Sequence, residues 1–86
     1  MLTKEEIEIE GLKYVKIAYY WNAPERVMSL SFSKGNHWIA YNQETTIMTI
    51  VPIDPVKEDP YWEQVRFIGK IANLDDFRTI LRILEI

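Results

Sequence analysis

Residues 73–84, NLDDFRTILRIL, decide how the rest of the chain is read, because their apolar positions follow a single period. Leu74, Phe77, Ile80, Leu81 and Leu84 recur at helical spacing and form one stripe. Asn73 suits the N-cap, where its side-chain oxygen can accept a backbone N–H from the first turn. Asp75 and Asp76 oppose the positive end of the helix dipole, and Arg78 and Arg82 lie toward its negative end. Asp75 and Arg78 are also spaced to pair across one turn. The spacing therefore predicts a helix about 18 Å long at 1.5 Å per residue.

Upstream of this segment the period changes to two. Residues 6–10, EIEIE, alternate strictly and read as a half-buried strand ended by Gly11. Residues 12–21 are rich in aromatic and β-branched side chains and read as a second strand. On it Val15, Ile17, Tyr19 and Trp21 share one face, and Tyr14, Lys16, Ala18 and Tyr20 share the other. The loop length between these two strands leaves their register open, since a slip of one residue exchanges the faces.

Residues 27–33 alternate Met28, Leu30 and Phe32 against Ser29, Ser31 and Ser33. Turns at 34–36 and 42–44 bound a strand over 37–42, and residues 45–51, TTIMTIV, form another. Residues 52–60, PIDPVKEDP, hold three prolines and read as a loop, either a crossover or an exposed feature with a function. Residues 61–72 admit two readings. Asp59-Pro60 could start a helix, whereas alternation through Val65, Phe67, Gly69 and Ile71 favours a strand over 64–72, with a helical turn over 60–63 before it.

The expected architecture is a single α+β domain spanning residues 1–86. It consists of an antiparallel meander of about six strands with the C-terminal helix across one face. A small barrel plugged by the helix is the alternative. One helical stripe cannot cover strands that are apolar on both sides, so the uncovered face is expected to meet another chain, a homodimer included.

Composition narrows the function classes. The chain has 86 residues, 48% of them hydrophobic, no cysteine and a net charge of −3. That removes disulfides, thiolate metal sites and thiol nucleophiles, and it fits a reducing cytoplasm. The start Met-Leu-Thr-Lys-Glu-Glu lacks the apolar run of a signal peptide, and no stretch reaches the ~20 apolar residues of a membrane span. The net charge falls entirely in residues 1–10, where Lys4 stands against Glu5, Glu6, Glu8 and Glu10. Without a basic stripe the chain is poorly equipped to hold nucleic acid.

No catalytic, cofactor or metal constellation emerges. His37 is the only histidine and has no second catalytic group within its strand. Ser29, Ser31 and Ser33 lie in no nucleophile motif. What remains is a surface for another protein, one with a basic surface of its own. The candidate contacts are the acidic stripe Glu6, Glu8 and Glu10 and the aromatics Tyr14, Tyr20, Tyr61 and Trp62. The expected function is that of a small cytosolic interaction protein without catalysis, such as an inhibitor, an immunity-type protein or a phage counter-defence protein. The competing expectation is an oligomeric module that binds a small ligand or nucleotide at the sheet face or the 52–60 loop.

Overall fold

A computed structural model describes the backbone of residues 1–22 and 25–86, and the side chains of residues 1–17 and 29–86. Five strands form one antiparallel sheet in the order of the chain: β1 (Lys13–Asn22), β2 (Glu25–Lys34), β3 (His37–Tyr41), β4 (Ile47–Pro52) and β5 (Phe67–Lys70). Two helices flank it in sequence, α1 (Lys4–Ile9) and α2 (Leu74–Ile83). The sheet is open, with β1 and β5 at its edges, so the α+β meander is the fold and the barrel alternative is not. Among the described residues the strand count is five, one below the expected six.

The C-terminal helix forms as its period requires. Asn73 caps it, its Oδ1 accepting from the Asp76 N–H at 2.9 Å. Phe77 and Leu81 are buried, and Leu74, Ile80 and Leu84 pack partly buried beside them. Arg78 does not pair with Asp75 as its spacing suggested. Its Nε donates to Glu10 Oε1 at 2.7 Å, which ties α2 to the end of α1.

Residues 6–10 correct the sequence reading, because residues 6–9 belong to α1 and Glu10 is its C-cap, with no strand there. Thr3 and Glu6 make a reciprocal capping box, with Thr3 Oγ1 accepting from the Glu6 N–H and Glu6 Oε1 accepting from the Thr3 N–H. Two donors satisfied together, with Lys4 and Glu8 at 3.4 Å one turn apart, outweigh a five-residue alternation. Ile7 is fully buried whereas Ile9 is 74% exposed, so the helix uses only one of the two isoleucines. The question of a first hairpin register disappears with the strand.

A bulge between Tyr14 and Lys16 corrects the faces of β1. Tyr14 pairs with Phe32 and Ile17 with Leu30, so Val15 is the extra residue and Tyr14 shifts to the side of Ile17. The Tyr14 ring meets Phe32 edge-on at 5.6 Å, and Lys4 Nζ lies 4.3 Å above it. Tyr20 pairs with Val27 in the ladder, but its side chain lies outside the described residues, so the expected pairing of Tyr14 with Tyr20 on one face fails on Tyr14 alone.

Both helices feed one core. Leu2, Ile7 and Leu12 join Phe77 and Leu81 over Leu30, Phe32, Ile39, Tyr41, Met48 and Ile50. The Tyr41 hydroxyl holds this layer together. It accepts from the Leu2 N–H at 3.0 Å and donates to the Ile71 C=O at 2.7 Å, joining β3 to the segments before α1 and before α2. On the other side of the sheet, by strand alternation, Ser31, Ala40 and Val51 are buried as well, whereas Ile47 and Ile68 remain exposed.

Candidate interaction loop

The connection from β4 to β5 is the longest in the chain, and it is built from hydrogen bonds. It is not the crossover considered from the sequence, since it joins neighbouring antiparallel strands. Ile53 and Pro60 form a bridge that extends β4 into a small hairpin. Around this bridge the Asp54 N–H donates to the Asp59 C=O at 2.8 Å and the Tyr61 N–H donates to the Pro52 C=O at 2.8 Å. Pro60 thus occupies a non-hydrogen-bonded position, where its missing N–H costs nothing.

Asp54 closes the turn. Its Oδ1 accepts from the Val56 N–H at 2.8 Å and the Lys57 N–H at 3.3 Å, and its C=O accepts from the Glu58 N–H at 2.7 Å. These backbone donors hold the Asp54 carboxyl below its ordinary pKa. Glu58 takes φ of 59°, which reverses the chain toward Asp59. The Ile53 N–H donates to the Asn36 C=O at 2.7 Å, anchoring the hairpin to the β2–β3 turn.

The far end of the loop has its own anchor. The Arg66 N–H donates to the Ile50 C=O at 2.8 Å, and Arg66 Nη1 lies 2.6 Å from His37 Nε2. Guanidinium nitrogens only donate, so Nε2 must be the unprotonated acceptor. Burial first, and the Arg66 charge second, push the His37 pKa below its ordinary value. His37 is 9% exposed and bonded to Arg66, so its Nε2 lone pair is committed.

Held this way, the loop displays apolar side chains outward. Val56 at the turn is 89% exposed, more than any other large hydrophobic among the described residues. Trp62 and Val65 follow at 41% and 47%. An open cleft runs beside the turn between Asp54, Asp59, Pro60, Tyr61 and Trp62, and a second is lined by Asn36, Pro52 and Tyr61. The cleft carries Asp54, Asp59 and Glu63 against Lys57 alone.

The candidate contacts read from sequence fall into two places. Tyr61 and Trp62 come together in this loop. Glu6, Glu8, Glu10 and Tyr14 lie in or against α1, where Glu6 serves the capping box, Glu8 pairs with Lys4 and Glu10 holds Arg78. As helix residues the three glutamates do not form the strand stripe expected of them. Val56 and the His37–Arg66 contact were missed. Val56 could have been found as the one aliphatic residue between Pro55 and Pro60, but 29 positions separate His37 from Arg66 and no local pattern links them. Among the described residues no cluster of metal-ligating side chains occurs, and no helix is long and apolar enough to cross a membrane. Comparison of the chain with family models, curated proteins and solved structures gives no match.

Proposed function

We propose that this chain is a small cytosolic protein-interaction module of the inhibitor type, docking through the β4–β5 loop. The observation that carries the reading is a hydrogen-bonded loop with an apolar residue outermost. Val56 is 89% exposed on a turn fixed by three acceptor contacts to Asp54 and a bridge at Ile53–Pro60. An apolar residue already held in place loses little freedom on binding, so more of its burial energy appears as affinity. Trp62 and Tyr61 supply the aromatic area typical of binding hot spots. Residues 53–66 carry four carboxylates and two cations, so the complementary surface is an apolar pocket with a basic rim. Cysteine-free composition supports a reducing compartment.

The same features weigh against the small-ligand alternative. The clefts beside Tyr61 are about half open to solvent, whereas small molecules are usually enclosed on most sides, and an acidic lining repels phosphates. Among the described residues the sheet side away from the helices offers less for a homodimer, since Ser31, Ala40 and Val51 are already buried there and Ile47 and Ile68 are the large hydrophobics left exposed on β4 and β5.

The test is quantitative capture from the native host with the wild-type chain, Val56→Asp, Trp62→Ala and Ile9→Asp as an exposed control on α1. The expected result is a protein retained by wild type and Ile9→Asp and lost with both loop variants. A partner held equally by all four chains contradicts docking through the loop.

A further inference from the structure

We propose that the His37–Arg66 contact is a proton-operated latch that holds the far end of the β4–β5 loop closed at neutral pH and releases it in acid. The inference rests on the reading of this loop as the docking surface only for its consequence, since the latch itself is a property of the free chain.

The geometry permits one protonation state. Arg66 Nη1 is 2.6 Å from His37 Nε2, and a guanidinium offers hydrogens but no lone pair. The imidazole must therefore be neutral, with its hydrogen on Nδ1. A proton added at Nε2 turns the acceptor into a donor and places two cations in contact. His37 cannot move away easily, because it is 9% exposed in β3, between Lys34 of β2 and Pro52 of β4. Arg66 can, because it is exposed and stands where the loop enters β5. The loop end therefore yields first.

No neighbouring charge offsets the effect. From β2, Lys34 is the cross-strand neighbour of His37, and its Nζ is held 3.1 Å from the Glu10 C=O. From β4 the neighbour is the uncharged Pro52. From the loop comes Arg66 itself. Among the described residues no carboxylate pairs with or hydrogen-bonds to the ring, so nothing there compensates a charged imidazole. Release of the Arg66 side chain leaves Tyr61–Gln64 held by the Gln64 N–H to Tyr61 C=O bond and by the hairpin at its near end, while the far end keeps only the Arg66 N–H to Ile50 C=O bond, which is then free to open.

The test follows His37 and the loop separately by nuclear magnetic resonance between pH 7.5 and 5.0. Ring ¹⁵N shifts give the tautomer and the titration of His37. Hydrogen exchange of the Arg66 amide, which donates to the Ile50 C=O, corrected for the intrinsic pH dependence, gives the loop end. The expected result is at least a tenfold loss of protection, with the same midpoint as the His37 titration. His37→Gln, which can accept from Arg66 but does not titrate, should keep protection flat with pH. Arg66→Gln, at an exposed site, should raise the His37 titration midpoint and leave the residue 66 amide poorly protected at both ends of the range. Protection that stays constant while His37 titrates overturns the latch, as does an equal acid loss in His37→Gln. A Nδ1-acceptor tautomer at pH 7.5 also overturns it. No partner is needed, so a failed capture experiment and a failed latch are distinguishable.

Discussion

Replacing Tyr41 by phenylalanine removes one oxygen and orphans two backbone groups. Tyr41 is fully buried, and its hydroxyl accepts from the Leu2 N–H at 3.0 Å while donating to the Ile71 C=O at 2.7 Å. Leu2 and Ile71 are themselves 1% and 3% exposed, so water cannot readily take the place of the hydroxyl. A buried polar group left without a partner costs about 1–3 kcal/mol, and two are stranded here. Partial movement of the N-terminal segment would recover some of this, which leaves about 2–4 kcal/mol. A chain of 86 residues has a total stability on the order of 4–13 kcal/mol, so the loss is a large fraction of the whole. At about 4–8 °C per kcal/mol for a domain this size, the melting temperature should fall by about 8–32 °C. Urea unfolding followed by circular dichroism measures the energy, with Tyr61→Phe, a partly exposed site, as a control expected within about 0.5 kcal/mol of wild type. A Tyr41→Phe loss under about 0.5 kcal/mol would refute the assignment of this hydroxyl as the joint between β3 and the two helical segments.

Four further outcomes follow from contacts already described. Thr3→Ala removes half of the capping box and should cost about 1 kcal/mol in chemical unfolding. Glu10→Gln weakens an exposed ion pair with Arg78 and should cost at most about 1 kcal/mol, diminishing in high salt; a larger salt-independent loss would mean that packing, not charge, joins α1 to α2. The His37 pKa is depressed in the folded chain, so the unfolded chain takes the proton first. Stability should therefore be full above about pH 6.5 and decline as pH falls below it, a slope absent in His37→Gln. Asp54→Ala should lower the ¹⁵N order parameters of the Val56 and Lys57 amides from about 0.85 toward 0.6 without unfolding the domain, since both amides donate to its side chain.

The parts of this fold visible in the sequence are those where one period runs long enough to be unambiguous. Ten residues of α2 keep a 3.6-residue stripe, and Leu30, Phe32, Ile39, Tyr41, Met48 and Ile50 all reach the core as alternation implies. The strand reading of 64–72 survives only over Phe67–Lys70, because the chain bends at Arg66 to meet Ile50 and leaves the ladder before Asn73 caps α2. Residues 6–10 mislead because isoleucines two apart fit a strand equally well. The deciding signal was Thr3 with Glu6 three residues on, outside the alternating run. The bulge at Val15 is invisible in a segment where both faces are mostly apolar or aromatic. At the candidate site Tyr61 and Trp62 were legible as aromatics beside a proline-rich loop. The order of that loop was not, because it depends on which carbonyls and amides face Asp54, and prolines alone suggest irregular chain.

The docking of Val56 is the claim on which the functional reading stands. Its most direct measurement is the dissociation constant of the captured partner for wild type and Val56→Asp, by titration calorimetry at one ionic strength. Burial of a valine side chain is worth about 1.5–3 kcal/mol, and a carboxylate in its place adds desolvation cost. The loop reading predicts binding weakened at least tenfold, with the melting temperature of the free chain unchanged because Val56 is 89% exposed. Equal dissociation constants for the two chains would contradict it.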